Sequence, residues 1–251
     1  MPSSSSTVEA AVNATLSSKD IPARDRLIFA LDFSTIDEAK VIVTTLSDSV
    51  TFYKLGLGLF MAGGYWEMVA WLKARNKRVF VDLKFFDIPE TVRGAVKQLS
   101  SYHADFASVH GNDGILRSAC EAKNGVKILA VTVLTSLDES DLKDLGFKVD
   151  TKTLVLSRAR RALEIGCDGV ISSGLEVPEL RRDLGDGFLI VVPGIRPVKN
   201  RPVDDQKRTV DVEEAFNRGA DYIVVGRPIR DASDPKAAAE DIQKRISALF
   251  P

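Results

Sequence analysis

Residues 79–91 read VFVDLKFFDIPET. The run opens as a buried strand, and Asp82, Lys84 and Asp87 then interrupt it with charge. Burying such groups is costly unless they are paired. Asp82 and Lys84 are two apart, so they share one face of a strand while Leu83 points the other way. Opposite charges ~4 Å apart attract by about 4 kcal/mol at an effective dielectric near 20, which favours keeping both ionised. Two readings stay open at this point: a salt bridge that closes the core, or an acid and an ammonium placed for chemistry.

Apolar runs of the same kind recur from Arg26 onward. They are LIFALD (27–32), TFYKLG (51–56), RVFVDLK (78–84), FASVH (106–110), KILAVTV (127–133), DGVISS (168–173), FLIVVP (188–193) and DYIVVG (221–226). Continuous apolar runs, rather than alternating ones, are expected of parallel strands covered on both faces. Between them lie segments of helical period: TIDEAKVIVTTLSDS, YWEMVAWLKARNK and TLVLSRARRALEIG, the last with Gly166 as its stop. Strands alternating with helices predict an α/β fold, a single (β/α)8 barrel over residues 26–251, with a doubly wound open sheet as the alternative. The alternative lacks a dinucleotide fingerprint, because GLGLFMAGG (56–64) has Met61 where a third glycine belongs.

Barrel active sites lie at the C-terminal ends of the strands. There this sequence places Asp32, Lys54, Asp82, Lys84, His110, Thr135, Ser136, Arg196, Gly226 and Arg227. Lys54, on the preceding strand, can complete an alternating row with Asp82 and Lys84. Phosphate groups commonly sit beyond strands seven and eight of barrels. VVGRPI supplies a close backbone amide at Gly226 and a bidentate donor at Arg227. The charge-rich loop 194–209 reads as a lid over that end.

Composition narrows the class. The 251 residues are 45% hydrophobic, with 34 basic against 35 acidic side chains and a net charge of −1. That balance shows no nucleic-acid footprint, and no apolar run approaches the ~18 residues of a membrane span. The two cysteines, Cys120 and Cys167, form neither a disulfide framework nor a CxxC pattern, and a reducing cytoplasm is expected. They read as small core residues. Residues 1–25 are Ser-rich without a signal-peptide pattern, and predict a frayed tail with a short helix near Val8–Leu16. His103 and His110 are too few for a histidine metal site. At least one of Trp66 and Trp71 is expected in a core or interface. KARNKR (73–78) reads as a solvated helix end.

DLKFFDIPET resembles the D-x-K-x-x-D-I-P-x-T signature of the orotidine 5′-phosphate decarboxylases. That family's other motifs follow in order as ALD (30–32), YKLG (53–56), LTS (134–136), PGIR (193–196), DDQ (204–206) and VGRPI (225–229). The resemblance spans about Arg26 to Phe250. Its long PGIRPVKNRPVDDQKR loop is similar to the bacterial, monofunctional branch, with no phosphoribosyltransferase domain expected. It implies conversion of orotidine 5′-phosphate to uridine 5′-phosphate and CO2 by a homodimer needing no cofactor or metal. Lys84 would then protonate C6, with Asp82 beside the substrate carboxylate. Lys54 would bond Asp82 and the ribose, Asp32 a ribose hydroxyl, and Thr135 the pyrimidine. Gln206, Arg227 and the Gly226 amide would hold phosphate, Arg196 would open the closing loop, and Asp87 and Thr91 would serve the neighbouring subunit's site. Two rivals remain: a magnesium-dependent decarboxylase of keto-sugar phosphates sharing D-x-K-x-x-D, and a non-catalytic phosphosugar-binding barrel. The first places a metal-binding acid where this chain has Lys54, and the second predicts a missing member of the charged row.

Overall fold

The computed structural model describes residues 16–196 and 208–251. Eight parallel strands close into one barrel in chain order. They are β1 (Leu27–Ala30), β2 (Phe52–Gly56), β3 (Arg78–Phe85), β4 (Phe106–Val109), β5 (Lys127–Val131), β6 (Gly169–Ile171), β7 (Leu189–Val192) and β8 (Tyr222–Val225). Every predicted run is a strand, and the chain is a (β/α)8 barrel. The predicted helical segments form Ile36–Leu46, Tyr65–Lys73 and Thr151–Ile165. The first starts at a capping box between Thr35 and Glu38, and the last stops at Gly166 in the left-handed conformation, where glycine escapes the Cβ penalty.

Strand side chains divide between two cores. Outward ones pack beneath the helices. Inward ones, including Ile28, Phe52, Phe80, Phe106, Leu129, Val191 and Tyr222, fill the barrel. Each such Phe contributes roughly 1.5–3 kcal/mol on burial. Phe52, Phe106 and Tyr222 meet edge to face with centroids 5.0–5.9 Å apart, and the Arg78 guanidinium lies 4.2 Å from the Phe52 ring. Register sets what lies above this layer: Ala30 pairs with Lys54, Lys54 with Phe80, and Gly56 with Asp82. The period of two therefore stacks Arg78, Phe80 and Asp82 along β3, a cation below, an aromatic in the middle and a carboxylate at the mouth.

A clasp absent from the sequence reading recurs three times at the barrel's bottom. Asp105, Asp168 and Asp221 precede β4, β6 and β8, and each accepts the backbone N–H of the preceding strand, from Val79, Ile128 and Ile190, at 2.7–2.8 Å. Each also binds a cation from the helix before that strand: Lys73 at 2.8 Å, Lys123 at 2.9 Å and Arg181 at 2.7 Å. Charge-assisted bonds of this kind are about twice as strong as neutral ones.

Two expectations need correction. Residues 16–25 are docked rather than frayed. Ser17 and Lys19 bind Asp221, Ile21 packs against the barrel interior, and Ala23–Asp25 forms a 3-10 turn. The helix expected near Val8–Leu16 falls almost wholly outside the described residues. KARNKR is solvated only in its middle: Ala74, Arg75 and Asn76 are exposed, whereas Lys73 and Arg78 hold Asp105 and buried Lys77 donates to the carbonyls of Ser47 and Val50. Cys120 and Cys167, far apart in sequence, bring their Sγ atoms to 3.5 Å. Trp66 stacks on Tyr102 and Trp71 lies under the Arg75 guanidinium, both half-buried.

Candidate active site

A cavity of about 500 Å³ opens at the C-terminal mouth of the barrel. One wall is the charged row. Lys84 Nζ lies 2.9 Å from Asp82 Oδ1, Lys54 Nζ lies 3.3 Å from Asp82 Oδ2, and Lys54 also reaches Asp32 Oδ1 at 3.5 Å. Sign alternates from Asp32 through Lys54 and Asp82 to Lys84. Gly56 makes room for it, since a Cβ there would stand 3.3 Å from Lys54 Nζ.

Burial opposes charge on Lys54, yet Asp82 and Asp32 more than offset it and hold its pKa above the ordinary lysine value. Burial likewise pushes Asp82 up, and Lys54 and Lys84, with hydrogen bonds from Lys84 and Ser108, bring it below the usual carboxylate value. Lys54 and Asp82 therefore hold each other charged at neutral pH.

Thr135, Arg196, Gly226 and Arg227 line the same cavity, with Thr135 and Arg196 buried. Gly226 packs close to β1, where an added Cβ would meet Ala30 at 3.5 Å and Asp32 at 3.6 Å. Gln206 lies outside the described residues. Asp87 and Thr91 are exposed and do not line the cavity, and Asp87 accepts the N–H of Ile88 at 2.6 Å. His110 lies outside it too, its ring edge-on to Phe86, with burial, Arg158 and Lys84 holding its pKa below the usual histidine value.

Two contributors escaped the sequence reading. Arg230 lines the cavity and donates to the Asp32 carbonyl at 3.1 Å; its place one turn beyond Arg227 was the available signal. Ser108, wholly buried on β4, bonds Asp82, and its signal was a lone hydroxyl inside the apolar run FASVH. Arg208, counted with the charged loop, is instead tied down: it pairs with buried Glu176 at 2.7 Å and donates to the carbonyls of Val133 and Leu134.

A parallel barrel whose mouth carries an acid–ammonium row, sunken at Lys54 and Asp82, on one wall and guanidinium groups on another is a barrel enzyme built for an anionic substrate. The chain belongs to the orotidine 5′-phosphate decarboxylase / HUMPS family, whose model matches residues 25–242. It is 62% identical over 235 residues to an orotidine 5′-phosphate decarboxylase of Methylococcus capsulatus, covering 94% of this chain and 97% of that protein. A counterpart of the same name from Xanthomonas euvesicatoria is 51% identical over 234 residues, covering 92% and 96%. The crystal structure of orotidine 5′-phosphate decarboxylase from Lactobacillus acidophilus superposes with a TM-score of 0.79 at 36% identity, covering 88% of this chain and 99% of that one.

Proposed function

We propose that the protein decarboxylates orotidine 5′-phosphate to uridine 5′-phosphate in pyrimidine synthesis, with Lys84 as the proton donor. The observation that carries this reading is the alternating row with Lys84 Nζ at 2.9 Å from Asp82 at the cavity wall. Breaking the bond between C6 and the carboxylate leaves an electron pair in an sp² orbital that no adjacent π-system delocalises. A fixed ammonium beside C6 stabilises that charge as it develops and then delivers a proton to it. Asp82 aims the lysine and lies beside the departing carboxylate. Lys54 and Asp32 address the ribose, and Thr135 the pyrimidine. Gln206, Arg227 and the Gly226 amide hold the phosphate, with Arg196 at the base of the loop that covers it. Phosphate binding at that distance can then be spent on orienting the reacting ring.

The active form in this reading is a cytoplasmic homodimer, with Asp87 and Thr91 reaching the neighbouring subunit's site. Support comes from apolar side chains left exposed around Asp87. Phe86 and Ile88 flank it, and Leu57 and Met61 follow the adjacent strand β2. Such a patch is expected at an interface. No helix among the described residues is long and apolar enough to cross a membrane.

A magnesium-dependent keto-sugar phosphate reaction fits less well, because the Lys54 ammonium occupies the space between Asp32 and Asp82. The test is the ultraviolet band of orotidine 5′-phosphate mixed with protein in excess chelator. Rapid loss of the band supports the proposal. An unchanged spectrum, with turnover of a keto-sugar phosphate once magnesium is added, would replace it.

A further inference from the structure

We infer that Ser108 is a positioning residue for the Asp82–Lys84 pair, an inference that rests on the reading of Lys84 as proton donor. Strands β3 and β4 pair regularly at Val81 with Ala107, then again at Phe85 with Val109. Asp82, Leu83 and Lys84 therefore face the single residue Ser108, and β3 bulges. In that bulge Lys84 takes a left-handed backbone (φ 48°), a conformation that costs a residue with a Cβ about 1–2 kcal/mol. A bulge also leaves backbone groups without ladder partners.

Ser108 Oγ supplies the partner. It accepts the Lys84 backbone N–H at 2.9 Å and lies 2.8 Å from Asp82 Oδ1. Asp82, held as a carboxylate, only accepts, so the hydroxyl's one proton points to it. Asp82 Oδ1 thus receives two donors, the Lys84 ammonium and Ser108, while Oδ2 faces Lys54. One buried hydroxyl fixes both the backbone from which Lys84 springs and the carboxylate toward which its side chain turns. Pairing resumes directly above, where the His110 N–H donates to the Phe85 carbonyl at 3.0 Å. The bulge is closed at both ends, and Ser108 holds its middle. Because Ser108 is wholly buried and does not line the cavity, it acts through the pair rather than on the substrate.

The experiment compares Ser108→Ala, Ser108→Thr and Ser108→Cys in the full-length protein, with Lys84→Ala alongside. Ser108→Ala is expected to lower kcat about ten- to hundredfold, the rate equivalent of one hydrogen bond to a charged group, with KM within about twofold. The acid limb of its kcat/KM profile should move to higher pH, because Asp82 loses a donor to its charged form. Ser108→Thr, which keeps the hydroxyl, should recover most of the rate. Ser108→Cys, nearly the same size but a weak donor, should not. Ser108→Ala with unchanged kcat and an unshifted acid limb overturns the inference. If the alanine variant does not fold, equal kcat in the threonine and cysteine variants overturns it. A Lys84→Ala protein that keeps its rate would instead remove the reading beneath it, whatever Ser108 does.

Discussion

Single residues at the barrel mouth are placed by tolerances of a few tenths of an ångström. A Cβ at Gly56 would press on the Lys54 ammonium at 3.3 Å and approach Asp32 at 3.6 Å. Gly56→Ala should therefore fold normally, because the side chain that must yield is a flexible lysine tip. Its kcat/KM should fall about tenfold as the row shifts, since small misplacements at a reacting centre are costly. Steady-state kinetics beside a thermal melt would separate the two effects. Asp82→Asn acts on the same row through charge. Breaking a buried pair costs about 3 kcal/mol, so the variant should denature at lower urea than wild type at pH 7. The sign of its pH dependence follows from Asp82 titrating below its unfolded value. The stabilisation is present above that unfolded value and is lost as pH falls through the lower native one. The gap between the two proteins should thus persist from neutrality down to about pH 4 and close only below it. A gap that closes between pH 7 and 5 would show that Asp82 is not held charged in this way.

At the scale of elements, the barrel was legible because parallel strands buried on both faces must be apolar runs, and eight such runs stand apart in this chain. The charged row was legible too, because Asp82, Lys84 and Lys54 break runs that burial would otherwise keep apolar. Residues whose partners are decided by closure of the barrel were not. Asp105, Asp168 and Asp221 each sit just before a strand, where an aspartate commonly marks a turn, and their clasping role needs the neighbouring strand's register to be known. KARNKR misled for the same reason, since a basic run at a helix end carries no sign that Lys77 turns inward. The clasps predict a graded response. Asp221 is fully buried and collects Ile190, Arg181, Lys19 and Ser17. Asp221→Ala should lose about 3–5 kcal/mol, as for an uncompensated buried pair. Asp105→Ala, whose side chain is 23% exposed, should lose less. Equal urea midpoints for the two variants would contradict the ranking.

For the whole molecule, Asp87 and Thr91 carry the instructive difference. The motif names them, yet within one subunit they are exposed and do not line the cavity; the proposed dimer would give them a site. That arrangement predicts complementation between two crippled proteins. Lys84→Ala and Asp87→Ala homodimers should each be nearly inactive. After dissociation and random reassociation, half of the dimers are mixed, and each mixed dimer carries one site with both residues intact. Activity should return to about a quarter of the wild-type value. No recovery, with the mixed dimer present by mass, would mean that each subunit completes its own site. The docked segment from Leu16 to Asp25 was also missed at this scale, because its polar composition reads as tail until Asp221 is seen beneath it.

The most direct test of the central claim is the decarboxylation rate of Lys84→Ala, measured beside its affinity for uridine 5′-phosphate. If the Lys84 ammonium stabilises and protonates C6, the rate should fall by about 10⁴-fold or more while nucleotide binding persists. A variant that binds the nucleotide and still turns over within tenfold of wild type would show that the proton comes from elsewhere.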